Sequence, residues 1–458
     1  MGSDVFKVSE LVERNILERP IDGNHGEIHP KGEDFVSSGV PFIMASDLVN
    51  GTVDMIGCSF ISLEQASTLR KGFSVEGDVL LSHKATMGRT AVVPRLSTPY
   101  IILTPQVTYY RVKDPSSLNN RFLKYYFDSD SFQDLLSNWS GGGSTRSYLG
   151  ITEQLRLPVL CPPVATQKAI AHILGTLDDK IELLRQMNET LETMARALFK
   201  SWFVDFDLVR KKADGLPTGL PKEIEDLFPS EFEDSELGDI PKGWRVQPVG
   251  AVLTELETGT RPKGGVGGIR SGIPSVGAEN ILGAGKYDFS KERFVSREFY
   301  SQMRRGKVHS EDVLLYKDGG KPGEFRPRVS LLGLGYPYDE FAINEHVFRM
   351  RSAILGQPFL YFSISSERVL WEMGERGGKA AIPGINQQEL NSIMIVIPPV
   401  AVIEAFNKFA GSQLHRILRN AAESTSLSTI RDSLLPKLIS GELELTDDMI
   451  AKILEPAK

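Results

Sequence analysis

Between Ala165 and Asp205 apolar residues return every three or four positions without a break: Leu174, Leu177, Ile181, Leu184, Asn188, Leu191, Ala195, Leu198, Trp202. Eight of these nine are apolar, and alternating steps of three and four are the seam of a coiled coil. The pattern predicts one long helix. Pro163 stands just before its start, where a proline is harmless. Asn188 is the one polar member, and a polar residue at a single seam position fixes register and partner number at some cost in stability. Helices average about 11–12 residues, and this run is far longer, so it calls for a partner helix. A second periodic stretch supplies one with a looser seam: Phe406, Leu414, Ile417, Ala421, Leu427, Ile430, Leu434. Its spacing slips around Ser424, which predicts a local change of supercoil there.

The two stretches belong to a larger repeat. Pro162-Pro163-Val164-Ala165 returns as Pro398-Pro399-Val400-Ala401 at an offset of 236. Upstream, EGDVLL (Glu76–Leu81) matches SEDVLL (Ser310–Leu315) at 234, Gly39-Val40-Pro41 matches Gly272-Ile273-Pro274 at 233, and Gly150-Ile151 matches Gly384-Ile385 at 234. Four anchors in one order give two copies of one unit, each a domain followed by a long helix. The expected layout is a first domain at 1–163, a long helix at 164–205, an acidic linker at 206–243, a second domain at 244–399, a second long helix at 400–440 and a tail at 441–458. The fold class is α+β, with two similar mixed domains.

Within the first domain, short apolar runs at 41–44, 79–81, 90–93 and 107–110 predict strands, and 118–137 predicts a helix. Its end runs into Gly141-Gly142-Gly143-Ser144-Thr145-Arg146, a loop able to adopt special backbone angles and to offer free amides to an anion. The second domain repeats this with strands at 313–316 and 346–350, a helix at 358–374 and the counterpart loop Arg376-Gly377-Gly378-Lys379.

Composition changes the picture mainly through charge. A chain of 458 residues is too long for one core. No apolar run approaches 18 residues, so no membrane span is expected, and MGSDVFKVSE carries no signal pattern. Cys58 and Cys161 lie far apart, which suits a reducing, cytoplasmic compartment. The net charge of −7 looks unfavourable for a polyanion partner until it is located. Residues 205–243 hold 11 acidic and 5 basic side chains, a net of −6, so the remainder carries only −1. Residues 70–124 hold 9 basic against 3 acidic, and 257–330 hold 14 against 9. These basic stretches occupy matching places in the two copies, which favours a polyanion.

No catalytic constellation accompanies them. GGVGGIR lacks the Lys-Ser/Thr pair of a phosphate-binding loop, and there is no HExxH, GxSxG or GxGxxG. The tetrad Asn/Asp-Pro-Pro-aromatic of an amino-methyltransferase is also missing. His25 and His29 sit in a Gly/Pro-rich loop and read as surface residues, and Asp178-Asp179 read as a solvated helix face.

The helical stretch ATQKAIAHILGTLDDKIELLRQMNETLETMARALFKSWFVDFD resembles the central conserved region of the specificity subunit of type I restriction–modification systems. LLPKLISGELEL is similar to that family's C-terminal conserved region, and LFPSEFEDSELGDIPKGW to its entry into the second target recognition domain. The resemblance implies two target recognition domains, separated by two long antiparallel helices that form a coiled-coil spacer. Each domain would read one half of an interrupted, asymmetric site in double-stranded DNA. Two methyltransferase subunits would dock on the helices, and restriction/translocase subunits would join them. S-adenosylmethionine, ATP and Mg would sit on those partners, with none bound by this chain. A helix of about 37 residues is roughly 55 Å long, enough to hold two domains about one DNA turn apart, since such half-sites lie about 34–36 Å centre to centre.

On that reading the candidate DNA contacts are Lys84, Thr86 and Arg89, then Ser144, Thr145, Arg146 and Tyr148 in the first domain. In the second they are Arg261, Lys263, Lys317, Lys321, Arg326, Arg376 and Lys379, with Arg146 and Lys379 favoured by their neighbouring places in the repeated Gly loops. A competing reading from another class is a coiled-coil scaffold with two peptide- or glycan-binding domains. Retention on a duplex library separates the two.

Overall fold

The computed structural model describes residues 4–84, 86–140, 148–319, 323–378 and 383–455. The chain forms two compact units, Met1–Asp179 with Leu427–Lys458, and Lys180–Ser426.

The two units share a common core topology, the first unit carrying additional edge strands on its second sheet. In the first, Asp4–Lys7 pairs antiparallel with Pro158–Cys161. A four-stranded antiparallel sheet runs in the order Thr90–Val92, Val79–Ser82, Val107–Tyr110, Ile21–Asp22. A second sheet pairs Val40–Ile43 with Ser59–Ile61 antiparallel and with Ile101–Leu103 parallel. In the second unit Arg245–Pro248 pairs with Met394–Ile397. Its four-stranded sheet runs Val329–Leu331, Val313–Tyr316, Val347–Arg351, Glu255–Thr258. Ile273–Val276 pairs antiparallel with Phe294–Val295 and parallel with Ala342–Ile343. The repeat seen in the sequence is therefore a repeat of strand order and direction.

The matched EGDVLL and SEDVLL motifs form the central strands Val79–Ser82 and Val313–Tyr316, whose residues are all buried. An unbroken apolar run suits a strand covered on both faces. The aspartate one residue before each of these strands closes a buried clasp. Arg111 donates through Nε and Nη2 to the two carboxylate oxygens of Asp78, each at 2.8 Å. Arg351 Nε donates to Asp312 Oδ1 at 2.6 Å and Arg349 Nη1 to Oδ2 at 2.9 Å. The two acid side chains are 1% and 0% exposed. One close backbone approach is also repeated. A Cβ on Gly23 would lie 1.8 Å from Leu103 O, and one on Gly259 would lie 1.8 Å from Ile343 O.

Each helix expected after the last central strand is two helices. Asn120–Asp128 ends at Ser129 and Asp130–Ser140 follows; Gln357–Ile364 ends at Ser365 and Glu367–Gly377 follows. Ser129 and Ser366 are extended and leave the helical path; Ser129 Oγ donates to Tyr126 O at 2.6 Å and Ser366 Oγ to Ser363 O at 2.8 Å. Such local side-chain bonds compete with helix continuation.

The long helices span Val164–Phe203 and Val400–Ser440. Within the second unit they run antiparallel. Lys180 pairs with Glu423 at 3.4 Å, Asn188 Nδ2 donates to Ile417 O at 3.2 Å, and Asn420 Nδ2 donates to Asn188 Oδ1 at 2.8 Å. Leu184, Ala195, Trp202, Phe406, Leu414, Ile417 and Ala421 are buried there, and Leu191 and Leu198 pack partly buried against that core. In the first unit Leu174 is buried and Leu434 packs against the same cluster. Leu177, Ile181 and Leu427 are half-buried. Ile430 does not fit the expected seam, being 48% exposed. Asp178 is not on a solvated face either. It takes Arg431 Nη1 at 2.8 Å and Tyr125 Oη at 2.6 Å, with Lys124 Nζ at 3.3 Å. Burial works to raise its pKa, but these donors hold its carboxyl below the usual range.

The acidic connector is folded. After Phe206 turns left-handed at φ 54°, Asp207–Ala213 is helical and Phe232–Glu233 pairs with Ile240–Pro241. Phe228 stacks edge-on against Trp202 at 5.0 Å, and Phe206 against Trp244 at 5.8 Å. The tail is folded too. Asp447–Leu454 is a helix, and Ile450 is buried in the first unit's core.

Asp312→Ala leaves Arg349 buried and facing fewer acids. It is expected to destabilise the second unit by about 3–5 kcal/mol, read by chemical denaturation of the whole chain. A denaturation curve superimposable on the parent's would show that the clasp is dispensable.

Candidate nucleic-acid interface

In each unit a loop leaves the end of the buried central strand at the same place. The N–H of His83 donates to Gln106 O at 2.9 Å, and its carbonyl accepts from Leu149 N at 3.0 Å. In the second unit the N–H of Lys317 donates to His346 O at 3.1 Å, and its carbonyl accepts from Ile385 N at 2.7 Å. The next residue makes an isolated antiparallel bridge in both, Lys84 with Tyr148 and Asp318 with Gly384. The loop returns at an arginine. Ser82 N donates to Arg89 O at 2.8 Å, and Tyr316 N donates to Arg328 O at 2.9 Å.

Those two arginines are anchored alike. Arg89 Nη1 donates to Ala45 O at 3.2 Å, and Arg328 Nη2 donates to Ala278 O at 2.7 Å. Ala45 and Ala278 each open a 3₁₀ turn after a matched strand, Ala45–Asp47 and Ala278–Asn280. Both arginines are exposed. A guanidinium carries five donors, so anchoring through one arm leaves a rigid fork for an anion such as a phosphate. Arg328 was not among the sequence candidates. The insertion between Lys317 and Arg328 moves its offset from Arg89 to 239, away from the 233–236 of the anchors.

The remaining candidates divide. Lys84 Nζ lies 5.7 Å over the Tyr148 ring, Tyr148 is 47% exposed, and Thr86 is exposed. Lys317 is mostly covered, its Nζ 3.1 Å from Asp318 and 5.3 Å over the Phe348 ring. Arg261 is exposed and pairs with Glu345 at 3.0 Å. Lys263 is exposed, and Arg326 is exposed and paired with Glu324. Arg376 is a different case. Its Nη1 donates to Glu389 O at 3.0 Å and Ser392 Oγ at 2.7 Å, and its Nη2 pairs with Glu372. That guanidinium clasps its helix to the next segment, which makes it a structural residue. Ser144, Thr145, Arg146, Lys321 and Lys379 lie outside the described residues.

Of the two histidines expected at the surface, His25 is exposed and His29 is not; His83, at the start of the first loop, is covered as well. His83 is buried, with Nδ1 bonded to Leu149 O at 3.0 Å and Nε2 without a partner. His29 is half-buried against the Phe42 ring at 5.5 Å. Burial lowers the pKa of both. Among the described residues no group of three or more His, Cys, Asp or Glu is placed to hold a metal ion, and no helix is long and apolar enough to cross a membrane.

Comparison with known proteins agrees with this geometry. Residues 4–193 match the family model described as type I restriction modification DNA specificity domain. The type I restriction enzyme MjaIX specificity subunit of Methanocaldococcus jannaschii is 24% identical over 421 residues, covering 91% of this chain and 90% of that protein. The HindI specificity subunit of Haemophilus influenzae is 24% identical over 467 residues, covering 88% and 94%. A solved S subunit of a type I restriction–modification system from M. genitalium shares the fold, with a TM-score of 0.52 at 14% identity over 96% of each chain.

The buried histidines set a pH response in the first unit. Their folded pKa values lie below the ordinary value, about 6.5, so the unfolded state binds more protons in the window just under it. Stability therefore rises with pH through that window and falls as pH drops below about 6.5. His83→Gln is expected to flatten the loss, read by chemical denaturation between pH 7.5 and 5. An identical slope in the variant would exclude His83 as a source.

Proposed function

We propose that this chain, which belongs to the specificity-subunit family of type I restriction–modification systems, is the non-catalytic DNA-recognition subunit of such a complex. One observation from the structure carries the reading furthest. Arg89 and Arg328 occupy equivalent loop ends in the two repeats, each pinned to an equivalent carbonyl, each exposed, each inside a basic stretch. Phosphate contacts fix register and orientation without reading sequence, so the same device recurring in two diverged domains suits a duplex that passes both.

In this reading the first and second domains each take one half of a bipartite, asymmetric site. Two diverged copies read two different half-sites, whereas two identical ones would read a palindrome. The paired helices set the gap. The first has 40 residues, about 60 Å at 1.5 Å per residue. Methyltransferase subunits dock on these helices, restriction/translocase subunits complete the nuclease, and S-adenosylmethionine, ATP and Mg belong to those partners. The assembly works in the cytoplasm, where the DNA is.

Two experiments test this. Arg89→Ala and Arg328→Ala are each expected to weaken binding uniformly across sequences and to reduce the slope of log affinity against log salt by about 1. A slope unchanged in both variants would remove them as phosphate contacts. For the spacer, one heptad inserted after Asn188 with a matching heptad in the second helix should change the gap between half-sites. A methylation map with the original gap would dispose of the ruler.

A further inference from the structure

Two repeats that share a backbone but differ in one side chain offer a comparison within a single molecule. Where both carry the same chemistry, as at Arg89 and Arg328, the residue serves what the two half-sites have in common. Where they carry opposite chemistry, it serves what distinguishes them. The first loop position is the sharpest such contrast. Lys84 and Asp318 follow equivalent strands, bridge equivalent partners and lie beside equivalent loop returns, yet one is a cation with donors only and the other an anion with acceptors only.

We infer that Lys84 and Asp318 are specificity-determining residues of the two half-sites, Lys84 selecting a base that presents major-groove acceptors and Asp318 a base that presents an exocyclic amine. The inference rests on the DNA-recognition reading above and deepens it. Guanine offers N7 and O6 as acceptors, whereas cytosine N4 and adenine N6 are donors. Lys84 is aimed by its place over the Tyr148 ring, 5.7 Å away. Asp318 is aimed by two contacts, His346 Nδ1 at 2.6 Å on Oδ1 and Lys317 Nζ at 3.1 Å on Oδ2. Each carboxylate oxygen has two lone pairs, so one on each remains for a base. The Asp318 side chain is 28% exposed, enough to be reached and little enough to be held. Because Lys317 and His346 contact it, its negative charge is balanced by cationic and hydrogen-bonding neighbours when it approaches the duplex.

The experiment uses the full chain co-produced with its methyltransferase subunits. Lys84→Gln and Asp318→Asn, both close in size to the parent side chains, are compared with wild type. Methylated sites are mapped in host DNA, and competition binding is run on duplexes varied one base at a time. Competition reads ratios, so a partly inactive preparation gives the same answer. Expected for Asp318→Asn is a loss of about five- to 150-fold in discrimination at one position of one half-site, the other half and the gap being unchanged. Lys84→Gln should do the same at a guanine in the other half. Whether cytosine or adenine stands at the position that Asp318→Asn relaxes tells which amine the carboxylate holds. Wild-type discrimination at every position in both variants overturns the assignment, and so does a uniform loss that leaves the recognised sequence intact. A wild-type complex without any sequence preference fails earlier, since it removes the DNA reading itself.

Discussion

The interaction on which the candidate interface depends is a carboxylate with almost no access to water, placed one residue before each central strand. Asp78 is paired there with Arg111, and Asp312 with Arg349 and Arg351, because an unpaired buried charge is strongly destabilising. The clasp joins the start of the central strand to the end of the strand beside it, the one closing with Arg111 or Arg351. Four residues on, the central strand releases the loop that carries Lys84 or Asp318. The position of a candidate contact is therefore inherited from a buried ion pair through a strand with no exposed residue.

The same economy appears in the long helices, each tied to its own domain by an amide. Gln167 is fully buried; it accepts from Asn119 N at 2.8 Å and donates to Ser117 O and Pro162 O. Asn407 accepts from Phe359 N at 2.9 Å and donates to Leu355 O at 2.7 Å. Both fix the helix to the segment that begins the short helix of the domain. Polar groups in such places are tolerated only when satisfied, so each amide also specifies which backbone the helix may sit against.

Much of this was legible in the sequence because it is periodic. A seam of heptad spacing, unbroken apolar runs and ordered anchors gave the two helices, the central strands and the duplication. What stayed hidden follows from local competition and from insertion. Nothing in the apolar spacing of 118–137 or 358–374 marks the breaks at Ser129 and Ser366, where each serine hydroxyl bonds back to the preceding turn. The insertion before Arg328 masked its equivalence to Arg89. Arg376 reads as a free cation beside a glycine pair, whereas its partners Glu389 and Ser392 lie beyond the loop and give no signal at short range. Asp178 reads as surface because the Arg431 that covers it is 253 residues away.

That separation has a consequence for how the chain is made. The first unit takes Leu438, Ile439, Leu445 and Ile450 into the same core as Val8 and Leu11, although the 247 residues 180–426 stand between its two segments. At 5–20 residues per second the ribosome needs roughly 12–50 s to bridge them. Throughout that interval the apolar side of the nascent N-terminal unit lacks its covering, and it is exposed to chaperones and to other growing chains. Order of synthesis and order of completion are reversed: the unit begun first is finished last.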